Sequence, residues 1–220
     1  MYYSAPPTSN PGYHCVGTAT SKTIAGPYKA ADQPFTCQIH EGGAIDASGY
    51  QDPATGLRYV IYKVDGNHNG HGGDCTNTVE PIVPTPIKLQ QVGSDGVSPI
   101  EEASTILDRN ASDGPLVEAP SLYRSVEGTY FLFFSSGCYT SSSYDVKYAT
   151  AANITGPYTK TSESLLRSGD GPRLNGPGGA DISADGKLMV FHANLNPPDQ
   201  PLNRAMFTAR PKFSGTTVTI

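Results

Sequence analysis

Residues 128–135 read GTYFLFFS: a turn glycine followed by a run dominated by aromatic residues, the pattern of a β-strand leaving a tight turn. The same pattern stands at 56–63 (GLRYVIYK) and at 186–193 (GKLMVFHA). Taking Tyr62, Phe134 and His192 as equivalent places the copies 72 and 58 residues apart. Carried backwards, this register puts Tyr3 59 residues before Tyr62 and matches Ser4 to Ser135, so MYYSA (1–5) reads as the end of the same strand. Repetition at this period is the mark of an array of similar structural units.

Two further elements repeat. ATSKTIAGPYK (19–29) aligns with ATAANITGPYT (149–159) through Gly-Pro-Tyr, 130 residues apart, and each predicts a strand ending in a tight turn. Ahead of the aromatic strands stand GGAIDASGYQDPATG (42–56), LVEAPSLYRSVEG (116–128) and PGGADISADG (177–186), each a short apolar segment followed by a turn. The unit is an inner strand, a turn, an aromatic strand, a loop and outer strands, repeating at roughly 60–70 residues. This predicts an all-β chain of four-stranded blades around an axis, a β-propeller. A β-sandwich with chance likeness between strands is the alternative. The first copy lacks its inner strand and turn glycine. The expectation is therefore an N-terminally truncated propeller: the rest of a partial blade at 1–40, then blades at 41–115, 116–175 and 176–220, the last allowed to be incomplete.

Composition agrees with many short strands and turns: 220 residues carry 24 Gly and 19 Pro, and only 16% are charged. The net charge of −5 and the absence of clustered Lys and Arg argue against a nucleic-acid partner. No apolar run approaches the ~20 residues that span a bilayer, so no membrane partner is expected. The first residues have neither the basic start nor the apolar stretch of a signal peptide. Cys15, Cys37, Cys75 and Cys138 lack the spacing of a zinc site. The preferred pairing is Cys15–Cys37 with Cys75–Cys138, because the first pair brackets one hairpin-sized segment. With the glycosylation acceptors Asn110-Ala111-Ser112 and Asn153-Ile154-Thr155, this points to a secreted, extracellular parent protein.

Inner strands of a propeller converge on the axis, and two carboxylates lie on them: Asp46 in GGAIDAS and Glu118 in PLVEAPSLYR. A charge in an apolar strand shifts its pKa, and a Glu between Val117 and Ala119 held protonated near neutrality is what a general acid needs. A structural ion pair or a solvated strand end is the alternative for Glu118. Asp181 reads as the third repeat's equivalent of Asp46, with a structural hydrogen-bonding role.

At this point the chain resembles glycoside hydrolase family 43, five-bladed propellers that act on arabinan, xylan and their side chains. The resemblance runs through YYSA (2–5), HCVGTATS (14–21), GPY (26–28 and 156–158), GGAIDAS (42–48), RYVIYKVDG (58–66), VEAPSLYR (117–124), YFLFFSS (130–136) and MVFHA (189–193). It implies an inverting hydrolase of arabinose- or xylose-containing polysaccharides, with Glu118 protonating the leaving oxygen and Asp46 tuning and orienting that acid. Inversion also needs a base on water, its carboxyl about 6.5–9.5 Å from the acid. The family carries this base upstream of anything matching YYSA, and no residue here matches it. Asp32 and Asp52 lie in turn-rich segments, and Asp65, following an aromatic strand, is expected away from the axis. Activity is then weak or absent, and a non-catalytic, lectin-like carbohydrate-binding propeller is the alternative. A propeller whose Asp46 and Glu118 merely hold strands together is a third reading.

The resemblance further implies substrate contacts at His14, Arg204 and Phe134, and it places His192 near an axial cation or water. A structural calcium at the axis is compatible with this, and no cofactor is required. A packed His192 and a salt-bridged surface Arg204 are the alternatives. His68, His71 and Asp74 in KVDGNHNGHGGDC (63–75) read as a rim loop pinned by Cys75 rather than a metal site. The implied partner is a plant cell-wall oligo- or polysaccharide, with self-association through the open blade edge.

Overall fold

The computed structural model describes residues 1–171, 174–196 and 203–220. Among the described residues sixteen strands form five antiparallel sheets. The first holds β1 (Tyr2–Ala5), β2 (Cys15–Thr20) and β3 (Lys29–Ala30). Next come β4 (Ala44–Gln51), β5 (Arg58–Val64), β6 (Ile87–Val92) and β7 (Ser104–Leu107), followed by β8 (Val117–Arg124), β9 (Tyr130–Ser136), β10 (Asp145–Ala151) and β11 (Thr159–Lys160). The fourth sheet holds β12 (Gly178–Ile182), β13 (Met189–Asn194) and β14 (Arg204–Ala209), and a hairpin of β15 (Lys212–Ser214) and β16 (Thr217–Thr219) completes the set. Within each larger sheet the strands follow one another in chain order. Sheets neighbour one another through their first strands: β1 against β4, β4 against β8, and β8 against β12. This is the arrangement of consecutive propeller blades.

The repeated sequence features explain the repeated structure. Gly56, Gly128 and Gly186 each take positive φ in the turn before an aromatic strand, where a side chain would be strained. In both Gly-Pro-Tyr turns the tyrosine hydroxyl donates to the carbonyl four residues back, Tyr28 to Ile24 at 2.9 Å and Tyr158 to Ile154 at 3.0 Å. Disulfides join Cys15 to Cys37 and Cys75 to Cys138.

Apolar layers fill the spaces between blades. Tyr62 packs with Val16, Ala44 and Val64 between the first and second sheets. Phe134 packs with Ile61, Leu89 and Leu122 between the second and third. Phe131, Phe133 and Tyr148 meet Met189 and Phe191 between the third and fourth. Strand β9 therefore buries both faces, which is why YFLFFSS shows no polar alternation. Packing on two neighbours also excludes a two-layer sandwich.

Register corrects two equivalences read from sequence. The strand pairs Ile45↔Lys63, Glu118↔Ser135 and Gly178↔His192 precede the same irregularity in β4, β8 and β12. His192 thus corresponds to Lys63 and Ser135, and it is Phe191 that corresponds to Tyr62 and Phe134. Counted from the turn glycine, the equivalent strand position comes one residue sooner after Gly186 than after Gly56 or Gly128, and one residue of slip exchanges the faces of a strand. Beyond the irregularity the pairs are Ser48↔Ile61, Ser121↔Phe133 and Asp181↔Val190. Asp181 therefore corresponds to Ser48 and Ser121, not to Asp46, and its Oδ1 accepts from Ser121 Oγ at 2.6 Å.

Candidate active site

The irregularities in β4, β8 and β12 place Asp46 (φ 57°), Ala119 (φ 50°) and Gly179 (φ 60°) at one equivalent, left-handed position. Such a bulge turns a backbone N–H out of the ladder and re-aims the adjoining side chains. A neighbouring blade satisfies each freed N–H. Ser4 Oγ accepts from Asp46 N at 3.2 Å, and Ser135 Oγ accepts from Gly179 N at 2.8 Å. At the middle interface the corresponding residue is Lys63, which has no acceptor, and Asp46 Oδ2 accepts from Ala119 N instead, at 3.0 Å. The Asp46 carboxylate is thereby tied to the residue next to Glu118.

Glu118 is gripped on both oxygens. Tyr144 OH donates to Oε1 at 2.5 Å, and Lys63 Nζ donates to Oε2 at 3.2 Å. Lys63 is buried and also donates to Asp65 Oδ1 at 2.9 Å. Asp65 is therefore part of the site, against the expectation that it lies away from the axis. Asp65 continues the β4–β5 register by one rung and so stands on the face of Lys63, two residues before it: Asp65 N donates to Gly43 O at 2.9 Å, and a Cβ on Gly42 would stand 2.3 Å from Asp65 O. Gly42 is what lets the two backbones approach this closely, while a Cβ on Gly43 would stand 2.7 Å from His14 O.

Three carboxylates, Asp46, Asp65 and Glu118, gather around the Lys63 ammonium. Burial, then the Glu118 charge, pushes Asp46 up from 3.8 to about 6. Burial pulls the Lys63 ammonium down, but the charges of Glu118, Asp65 and Asp46 outweigh it and leave its pKa raised. Burial, then Glu118, holds the Tyr144 hydroxyl well above its ordinary value.

His192 stacks on Tyr144, with ring centroids 6.0 Å apart. Burial, then the Arg204 charge, lowers its pKa. Its Nδ1 is buried without a hydrogen-bond partner, a condition that a bound water or ion relieves. Calcium takes six to eight oxygen ligands. Among the described residues no group of three or more His, Cys, Asp or Glu side chains is placed to hold a metal, so the residues do not fit a protein-built calcium cage. In the rim loop, His71 Nδ1 contacts Pro81 O at 2.8 Å and His68 packs on Tyr13.

The remaining sequence-derived candidates divide. His14 is exposed and accepts through its carbonyl from Ala44 N at 2.9 Å, beside the start of β4. Exposed Arg204 lies over the Tyr139 ring at 5.1 Å. Phe134 does not line the site: it is 1% exposed inside the core between the second and third blades and offers no face to a sugar. Asp52 is buried in its own turn, accepting from Ala54 N and Thr55 Oγ1. Sequence reasoning missed Lys63 and Tyr144. A lysine closing the aromatic run RYVIYK was a usable signal, whereas Tyr144 in the loop CYTSSSYD carried none.

The family sequence model described as Glycosyl hydrolases family 43 matches residues 1–216. Among solved structures, a thermostable family-43 glycoside hydrolase is 25% identical with a TM-score of 0.80, over 100% of this chain and 69% of that one. An endo-1,4-beta-xylanase from Bacteroides thetaiotaomicron (23%, TM-score 0.71, 99% and 73% covered) shares the fold. So does an alpha-L-arabinofuranosidase from Lactobacillus brevis (14%, TM-score 0.70, 97% and 67% covered). No curated protein sequence matches. The family match over nearly all of the chain, on a bladed fold with paired carboxylates at its inner strands, shows that this chain belongs to glycosyl hydrolase family 43.

Proposed function

We propose that the chain is a hydrolase of O-glycosyl bonds in arabinose- or xylose-containing plant polysaccharides, acting by inversion, with Glu118 as general acid and Asp46 as the group that orients and tunes it. The observation that carries this reading is the 3.0 Å hydrogen bond from Ala119 N to Asp46 Oδ2, which couples the two inner-strand carboxylates through one backbone unit. To act as the acid, Glu118 must carry a proton on an oxygen facing the glycosidic bond. Its contact with Lys63, at 3.2 Å, is longer than the 2.9 Å contact from Lys63 to Asp65, so the ammonium has a second anchor when Glu118 is neutral. His14 and Arg204 are the flanking substrate contacts, and His192 holds an axial water or a largely hydrated cation.

The base is the weak point. Asp65, the third carboxylate at the site, is held by Lys63 instead of being free to accept a proton from water. This favours a second reading: a propeller that binds such glycans with weak or absent turnover. The two disulfides fit an oxidising, extracellular location.

Hydrolysis of aryl α-L-arabinofuranoside, aryl β-D-xyloside and linear arabinan, with Glu118→Gln as control, tests the assignment. Turnover abolished by the substitution supports the hydrolase. Sugar binding seen by calorimetry without turnover supports the binding reading, and neither turnover nor binding rejects both.

A further inference from the structure

We propose that Tyr144, on the loop between β9 and β10, is a positioning residue for Glu118, and that Gly178, opening β12, leaves the space its ring occupies. The proposal rests on the hydrolase reading for its kinetic consequence but not for its geometry. The hydroxyl lies 2.5 Å from Glu118 Oε1, the short separation of a charge-assisted O–H···O bond. The ring is 2% exposed, stacked on His192, and fixed at the end of a loop in which Tyr144 N donates to Ser141 O and Ser141 N to Cys138 O. Cys138 is in turn bonded to Cys75 in the rim loop of the preceding blade.

The space for the ring comes from the next blade. Gly178 occupies in β12 the register position that Glu118 occupies in β8 and Ile45 in β4. A Cβ there would stand 1.9 Å from Tyr144 Cε1, and one on Gly179 would stand 2.9 Å from the His192 ring. The fourth sheet thus leaves its side chain out at the acid's own position, and the third sheet's tyrosine leans through the gap. With Lys63 on Oε2 and Tyr144 on Oε1, the carboxyl plane is fixed from two blades, and Oε2, on the longer contact, is left as the oxygen that delivers the proton. Orientation of this kind matters in proportion to how much the leaving group needs the proton.

Tyr144→Phe keeps the ring and removes only the hydroxyl; Gly178→Ala displaces the ring from the other side. Both are made in the full 220-residue chain and assayed on linear arabinan and on 2,4-dinitrophenyl α-L-arabinofuranoside, whose leaving group departs without protonation. The expected result is a loss in kcat/KM of about tenfold or more on arabinan, with less than about twofold on the activated substrate, from an acid contribution typically of 10²–10⁴. Equal loss on both substrates, or none on either, overturns the proposal. Proton NMR supplies a readout that needs no turnover: a resonance far downfield of the amides, absent in both Tyr144→Phe and Glu118→Gln. If the wild type hydrolyses neither substrate, that resonance upholds the Tyr144–Glu118 bond while the hydrolase reading falls. Its absence from the wild type overturns the proposal. Should Gly178→Ala fail to fold, Tyr144→Phe decides alone.

Discussion

Asp46 links the site to the pH dependence of folding. Its carboxyl is raised from 3.8 to about 6 by burial and by Glu118, so the folded state holds its proton more tightly than the unfolded chain does. Its contribution is favourable below about 3.8, is lost as pH rises towards about 6, and is level beyond that. Urea unfolding at pH 4 and pH 7 is expected to show this slope in the wild type and a smaller one in Asp46→Asn; identical slopes would refute the assignment. Glu118→Gln removes a repelling charge and should bring the Asp46 midpoint down from about 6, read by carbon NMR of the carboxyl. At this scale the sequence displayed Asp46 and Glu118, because an acid inside an apolar strand stands out. It hid Tyr144, which meets Glu118 across 26 residues of chain. It also misplaced Asp65, which extends the β4–β5 ladder by one rung and so shares a face with Lys63.

Among the elements, β9 shows how far periodicity carries and where it stops. The aromatic run identified a strand, and the repeat identified its relatives, but the side on which each residue faces depends on register. The family resemblance implies a sugar contact at Phe134, but in the sheet its relatives are Tyr62 and Phe191, each turned into the layer against the preceding blade. Phe134→Ala is accordingly expected to cost about 3–5 kcal/mol of stability and to leave sugar affinity of the folded protein unchanged. Denaturant titration and calorimetry on the same preparation test both halves, and a loss of affinity without a loss of stability would return Phe134 to the site.

For the whole molecule, the exposed edge of the fourth sheet is the feature with consequences. Strand β14 pairs with β13 on one side, and among the described residues no strand pairs with its other side. Met206 on it is 76% exposed. An edge of this kind pairs readily with another chain. Sedimentation velocity is expected to show concentration-dependent self-association of the 220-residue chain, reduced in Met206→Lys; a monomer at every concentration would rule this out.

By itself the sequence determined the all-β class, the bladed repeat, the preferred disulfide pairing and the two inner-strand carboxylates. These are written locally, in the period-two pattern of strands, in turn glycines and in the chemistry of single side chains. Only the tertiary structure decided that Ser4, Lys63, Asp65 and Tyr144 share one site with Asp46, Glu118 and His192. The physical reason is that these residues come from four blades and meet through bulges, a one-residue difference in spacing from the turn glycine and the missing side chains of Gly42, Gly43, Gly178 and Gly179. Each of these moves side chains across a blade interface, and none leaves a mark on the hydrophobic pattern of its own strand.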